Sequence, residues 1–156
     1  MQTQGSLRIV AAPATDFSLL EEDRSGVKWL VARNYNVRFD ATLRLDDEEI
    51  ALSGVFLSVE NAMLPVSSSE VQGYAHGVVS VYDAMQQEVF SGPFLFPVVG
   101  MRFQDGQVAD YWAQVIGTWS GARQFAGRLL RVSLEGEWKP IDGAQKLVVE
   151  GDAILV

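Results

Sequence analysis

The feature that most constrains this chain is a run in which apolar and polar side chains alternate without a break. From Tyr35 to Asp46 every odd position is apolar and every even position is polar. A period of two puts one side of an extended strand against a core and the other side in water. A parallel sheet, which is covered on both faces, would not show such alternation. The run therefore predicts a strand of an antiparallel sheet.

Further strands are predicted along most of the chain. Pro93 and Pro97 have no amide hydrogen to give to a ladder, so segment 88–103 is expected to be an edge strand, a bulged strand or two short strands. Asp105-Gly106 is a strong hairpin signal, and residues 140–143 predict another turn. The last strand is expected to be docked in the sheet, because it ends on apolar residues. The predicted strands cover residues 29–46, 50–59, 74–82, 88–103, 107–119, 130–138 and 147–156.

Strands at regular spacing with almost no helical pattern predict an all-β fold. The chain of 156 residues fits one domain, residues 1–156, and is long enough to bury a core without disulfides. Because a sheet of consecutive hairpins keeps exposed edges unless it closes, we expect a small antiparallel β-barrel of about eight strands with little helix. Glycines within the strands fit the sharp corners that closure needs, with room for a ligand as the alternative.

Two segments are expected to depart from the strand pattern. Residues 16–23 form the one plausible helix, and it is short. Residues 60–69 contain proline and three serines, so they are expected to form a loop. The part of that loop from Asn61 to Val66 is apolar and is expected to act as a lid over a site, with segment 16–26 as the alternative lid.

Charge and composition limit the classes of partner. The formal net charge of −8 argues against nucleic acid and against an anionic membrane surface. The chain has no cysteine and one histidine, His76, so thiolate chemistry, iron–sulfur clusters and a histidine-based zinc site are not expected. No secretory leader and no apolar run of about 20 residues is visible. A cytoplasmic protein without metal or other cofactor is therefore expected.

No motif in the sequence fixes a reaction. A Gly-x-Ser-x-Gly nucleophile elbow is absent, and so are the glycine-rich phosphate-binding signatures. Glu135 and Glu137 share a strand face as a glycosidase pair could, but that face is opposite the apolar one, so we expect them in solvent. His76 is either a general acid or base, or a half-buried polar residue hydrogen-bonded to a neighbour.

Aromatic residues are spread over many predicted strands and give the best lead to a site. Their plain interpretation is core filling, yet an eight-stranded barrel can also hold one small ligand. Aromatic walls with a few polar groups are the usual form of such a site. The catalytic candidates are Tyr35, Tyr74 and His76, and Gln114 joins the site if its strand face points inward. The expected substrate-binding residues are Met63, Tyr82, Phe94, Phe96, Trp112, Gln114 and Trp119.

The stretch from Val115 to Gly127 resembles the glycine-rich late hairpin of allene oxide cyclase-like and dirigent-like barrels. In those proteins a Gly-Thr-Gly turn precedes a Phe and then a small residue with Gly; here Trp119 and Ser120 interrupt that order. The resemblance covers about a tenth of the chain. It implies an eight-stranded antiparallel barrel, often oligomeric, whose apolar cavity steers a reactive intermediate by shape. Small bacterial spirotetronate cyclases, which close rings by an intramolecular Diels–Alder reaction, share that architecture.

Two functions of different classes follow as hypotheses. In the first, the barrel binds an apolar, polyketide-like small molecule and catalyses its cyclisation or isomerisation without a cofactor. A pericyclic reaction needs little proton transfer and depends mainly on folding the substrate so that its reacting carbons meet. In the second, the barrel is a non-catalytic ligand carrier or a structural module, and the apolar segment 88–103 is the interface of a homodimer. An internal cavity of roughly several hundred cubic ångströms favours the first, and a packed interior favours the second.

Overall fold

Nine β-strands make up most of the part of the chain that the structure describes. The computed structural model describes residues 2–12 and 18–156. Within these residues the one helical segment is a 3₁₀ turn at Arg123–Phe125, and no helix has the length and apolarity to cross a membrane. The strands are β1 Thr3–Ala11, β2 Leu20–Arg24, β3 Val27–Leu45, β4 Glu48–Pro65, β5 Glu70–Tyr82, β6 Glu88–Gln104, β7 Gln107–Gly121, β8 Leu129–Ile141 and β9 Ala144–Leu155.

The strands form one antiparallel sheet that closes on itself. Each strand from β3 to β8 pairs with the next one along the chain, and β1 pairs with both β9 and β3. Eight strands, β1 and β3 to β9, therefore form a closed ring. Among the described strands β2 pairs with the first part of β3 alone and stands outside the ring. The prediction of an all-β antiparallel barrel of about eight strands is confirmed.

The first two strands depart from what the sequence predicts. The pattern does not reveal β1, whose partners β3 and β9 are distant along the chain. The expected helix at 16–23 is wrong for residues 20–23, which belong to β2, Leu20–Arg24. A helix this short gains few internal hydrogen bonds, whereas β3 offers β2 a ladder of backbone partners. Asp16 and Phe17 lie outside the described residues.

The end of β4 is the next departure. The expected loop at 60–69 is wrong over its first half, because β4 continues to Pro65. Asn61 lies within this continuation and is paired on both sides, with Ala32 of β3 and Ala75 of β5. Residues 61–65 are thus part of the barrel wall, and they do not form a lid.

β6 runs through both of its prolines as one bulged strand. It pairs with β5 on one side and with β7 on the other, so the alternatives of an edge strand or two short strands are wrong. Pro97 has no partner in either ladder, and the register of both ladders shifts beside it. The bulge accommodates the missing amide hydrogen without opening the barrel.

Three hairpins turn through two residues with positive φ, as type I′ turns require. These residues are Ser25-Gly26, Asp105-Gly106 and Asp142-Gly143, with φ angles between 50° and 81°. The hairpin predicted at Asp105-Gly106 is confirmed. The turn predicted at 140–143 narrows to its last two residues, because β8 continues to Ile141.

The barrel interior is solidly packed at one end, which we call the closed end. Trp119 of β7 is 1% exposed there, and its indole nitrogen donates to the carbonyl oxygen of Pro93 at 3.0 Å. Phe125 of the 3₁₀ turn stacks on Phe90 with ring centroids 4.6 Å apart. A Cβ on Gly54 would overlap the Phe39 ring, so the packing of that ring requires a glycine at this position.

Candidate ligand-binding site

The inward and outward alternation breaks once on each of β3 and β4. Along β3, Ala32 and Tyr35 both face the interior, with two exposed residues between them. Along β4, Ser58 and Asn61 both face the interior in the same way. Asn34 has a φ of 54°, and the ladder between β4 and β5 shifts register after Ser58. This break changes which positions of each strand face inward.

A cavity of about 340 Å³ occupies the end of the barrel opposite Trp119. Its volume falls in the range of roughly 300–1,000 Å³ that small-molecule sites span. A smaller space of about 40 Å³ continues from it toward the middle of the barrel. The two spaces are adjacent, because six residues line both: Ala11, Tyr35, Val37, Asn61, Tyr111 and Leu147.

The walls of the cavity are apolar apart from one group of polar side chains. Apolar residues from seven strands and from the segments beside β1 and β2 form most of the lining of the larger space. No charged side chain of the described residues borders either space. The apolar lining consists of Ala11, Ala12, Leu19, Ala32, Val37, Met63, Met101, Phe103, Val108, Trp138 and Leu147.

Tyr35, Ser58, Asn61 and Tyr111, which we call the inner polar group, border the smaller space. The side-chain amide of Asn61 donates from Nδ2 to the Tyr35 hydroxyl oxygen at 2.9 Å. Ser58 is 3% exposed and Asn61 is 7% exposed, and they are the buried side chains of polar type among the described residues. Ser58 and Asn61 both lie at the inner end of the cavity, because both border the smaller space.

Tyr111 supplies a phenol that stays protonated. Its ring stacks on Trp138, with centroids 6.0 Å apart and planes 18° from parallel. Burial raises the pKa of the Tyr111 hydroxyl above its usual value, and the neighbouring Tyr35 phenol raises it further. Part of its surface is accessible because it borders the cavity. A neutral phenol in this position is a hydrogen-bond donor for a molecule in the cavity.

Four of the residues expected at the site do meet in the cavity. Tyr35, Phe94 and Phe96 border the smaller space, and Met63 borders the larger one. Phe94 and Phe96 pack edge-on against Phe56, at centroid distances of 4.8 and 5.4 Å. These rings form the floor between the cavity and the packed half of the barrel.

The other expected residues lie elsewhere, which corrects their assignment to an interior site. Tyr74, His76 and Tyr82 lie on the outer face of β5, because Ala75, Val79 and Val81 take the inward positions. Trp112 and Gln114 lie on the outer face of β7, where Gln114 is exposed, and Trp112 covers Gly100. Trp119 faces inward but belongs to the closed end and borders neither cavity space.

Three members of the inner polar group were not among the expected site residues. Trp112 and Gln114 lie on one face of β7, and Tyr111 lies on the other. Knowing which face points inward would therefore have identified Tyr111. Ser58 and Asn61 cannot be on one strand face by a period of two, and the break between them leaves no motif in the sequence. Asn61 also falls in the segment that its proline and serines mark as a loop.

Tyr74 and His76 belong instead to a charged cluster on the outside of the barrel, which ties β2 to β4 and β5. Arg24 donates to the Tyr74 hydroxyl at 3.3 Å and to Glu60 at 3.2 Å. Tyr74 donates to the other oxygen of Glu60 at 2.9 Å. The cluster, which we call the outer cluster, consists of Glu22, Arg24, Trp29, Arg33, Glu60, Tyr74 and His76.

The two carboxylates of the outer cluster have lowered pKa values. For Glu22 the hydrogen bond from Arg33 has the largest effect and lowers the pKa, against a smaller effect of burial. For Glu60 partial burial alone would raise the pKa, but hydrogen bonds from Tyr74 and Arg24 together outweigh it. A carboxyl whose pKa is lower in the folded chain stabilises the fold above its unfolded pKa and loses that contribution as the pH falls.

We expect the free energy of unfolding to drop as the pH falls below about 4, because Glu22 and Glu60 then become protonated. Glu60→Gln should cost about 1 kcal/mol near neutral pH, the scale of a partly exposed ion-pair network. The variant should also flatten the acid-induced drop, measured as the urea midpoint at several pH values. Glu49→Gln is the matched control, because Glu49 pairs with Arg44 alone on an open surface. An unchanged pH dependence in Glu60→Gln would contradict the expectation.

No metal centre is apparent, and similarity to known proteins adds no functional assignment. In residues 2–12 and 18–156, no three His, Asp or Glu side chains are placed so that they could hold a metal ion together. Comparison of the chain with protein-family models, curated proteins and solved structures finds no match. The geometry of the cavity is therefore the basis for assigning a function.

Proposed function

We propose that this barrel binds a small, mainly apolar molecule in its cavity and promotes its cofactor-independent cyclisation or isomerisation. The observation that carries the proposal is the apolar cavity of about 340 Å³ that ends on the inner polar group. Buried polar groups in an otherwise apolar pocket are the usual means of orienting a ligand. The apolar walls supply most of the affinity, since they remove the ligand's surface from water.

The proposed chemistry needs no titrating acid or base in the cavity. Apolar walls and the rings of Phe94 and Phe96 would hold a flexible chain folded, so that its reacting carbons meet. Such positioning replaces a large loss of entropy on the way to the transition state. The Tyr111 hydroxyl, kept protonated by its raised pKa, would donate to a substrate carbonyl and stabilise the negative charge that develops on it.

A non-catalytic carrier is the second candidate, and one observation favours it. No Asp, Glu, His, Lys or Arg among the described residues borders either cavity space. Reactions that move a proton therefore have phenols and a serine as their available groups. Ring closures without proton transfer remain compatible with this lining, and so does simple transport of an apolar ligand.

Binding is tested by titrating the protein into phenylnaphthylamine, a neutral dye that fluoresces in apolar surroundings. We expect saturable binding with a Kd on the order of micromolar. Ring closure is then followed with a linear ketone that carries a conjugated diene and an alkene next to its carbonyl. Tyr111→Phe should slow this reaction by about 100-fold without weakening dye binding, and Tyr82→Phe on the outer face is the control.

The two measurements separate the candidates. Dye binding without acceleration of any such ring closure would favour the carrier. A protein that binds no neutral apolar dye would contradict both candidates, because both depend on an open cavity.

A further inference from the structure

We infer that the ligand of this cavity is a neutral molecule whose buried end carries a hydroxyl group, as in an alcohol or an enol. The inference rests on the proposed function and specifies its ligand class. It follows from two polar atoms in the inner polar group that find no hydrogen-bonding partner in the described part of the chain. These atoms are Oγ of Ser58 and Oδ1 of Asn61.

The amide of Asn61 is oriented so that its oxygen is presented as an acceptor. Its Nδ2 donates to the Tyr35 hydroxyl, which leaves Oδ1, on the other arm of the amide, to accept a hydrogen bond. A buried polar atom without a hydrogen-bonding partner destabilises the fold. Because native proteins retain few such atoms, two of them facing one cavity indicate a group that is bound there.

A hydroxyl group matches this pair of atoms. Its hydrogen can be donated to Asn61 Oδ1, and its oxygen can accept from the Ser58 hydroxyl or from Tyr111. One group of the ligand would then satisfy both buried side chains. A ketone or an ether cannot do this, because each lacks a hydrogen to donate to Asn61.

The size of the inner space limits the head group. The space beside Ser58 and Asn61 is about 40 Å³, and a single water molecule needs roughly 10–15 Å³ of such space. A hydroxyl and the carbon that bears it fit there. A sugar or a phosphate ester would have to remain in the larger space, away from Ser58.

The charge of the cavity excludes fatty acids as the preferred ligands. Among the residues that the structure describes, no Lys, Arg or His borders either space, so a buried carboxylate would have no counter-ion there. Removing an ionised carboxylate from water without a partner is strongly unfavourable. A carboxylate would also meet the Asn61 oxygen, which can offer it no hydrogen.

The experiment compares three ligands with the same alkyl chain: decanol, decyl methyl ether and decanoate. Each is titrated against the bound phenylnaphthylamine dye at mildly alkaline pH, where decanoate is ionised. We expect decanol to displace the dye at a concentration at least about tenfold lower than either of the others, which corresponds to one hydrogen bond of about 1.4 kcal/mol. This comparison uses the unmodified protein and does not depend on whether a variant folds.

Asn61→Leu should abolish the preference for decanol over the ether while keeping dye binding, and Ser58→Ala should reduce that preference. Gln114→Leu removes an amide from the outer face and should leave the preference unchanged. Equal displacement by all three ligands, with the dye still bound, would overturn the inference and leave the proposed function standing. Absence of dye binding would instead overturn the proposed function, and the inference with it.

Discussion

Trp119→Ala is expected to lower the free energy of unfolding by about 3–5 kcal/mol, the usual cost of truncating a fully buried large aromatic residue. The indole fills the closed end of the barrel and covers Gly117. Its removal also leaves the Pro93 carbonyl without the hydrogen bond from Nε1. Since small domains are stable by about 5–15 kcal/mol, this loss should be visible as a large fall of the urea midpoint.

The matched control for Trp119 is the other tryptophan of the same strand. Trp112 lies on the outer face of β7 and is partly exposed, so Trp112→Ala should cost less, about 1 kcal/mol. Dye affinity of the folded Trp119→Ala protein should equal that of the wild type, because Trp119 borders neither cavity space. If instead Trp119→Ala were stable but bound no dye, the assignment of Trp119 to the closed end would be wrong.

Ala32→Phe is expected to reduce dye affinity at least about thirtyfold, because its ring would occupy the cavity that the dye needs. Ala32 is buried on β3 and faces the larger space, opposite Asn61 in the ladder. The substitution fills an existing void, so the urea midpoint should stay the same or rise slightly. Dye titration and urea denaturation of the same preparation measure the two effects separately.

Ala51→Phe is the control for this substitution. Ala51 is exposed on the outside of β4, so the same added ring should leave dye affinity unchanged. Full dye affinity in Ala32→Phe would place the dye outside the barrel. A large loss of stability would show that the cavity cannot accept a ring at this point.

Much of the fold can be predicted because one face of the sheet is exposed to solvent and the other face packs in the core. The alternation from Tyr35 to Asp46 identifies the inward residues of β3 correctly, and they are part of the core. Hairpin connections follow from local turn signals such as Asp105-Gly106. The closing pairs of β1 with β3 and β9 could not be predicted, because nothing local in the sequence specifies them.

The orientation of β5 could not be read from its sequence. Its inward positions include Gly73 and Gly77, which interrupt the row of apolar side chains on the interior face. Its outward positions include Tyr74 and Val78, which resemble core residues. Tyr74 is polar at its tip and apolar in its ring, and outside the barrel it uses both, with the ring against Trp29 and the hydroxyl on Glu60.

Ser58 and Asn61 of the inner polar group were missed for a different reason. A strict period of two assigns Ser58 and Asn61 to opposite faces, and only a break in the ladder brings them together. Breaks of this kind are common beside functional sites, because they re-aim side chains. They depend on how neighbouring strands are paired, so a single sequence gives no measure of them.

The closing pairs also set the order in which the chain can fold. Six of the eight contacts around the ring join consecutive strands and can form as local hairpins. The pairings of β1 with β3 and with β9 are not local hairpins. β9 is separated from β1 by almost the whole chain, so their pairing must overcome the largest loss of loop-closure entropy. Until β9 pairs with β1, the open sheet has unprotected edges and an exposed apolar face. Chaperone demand and aggregation should therefore depend on the last strand more than on any other.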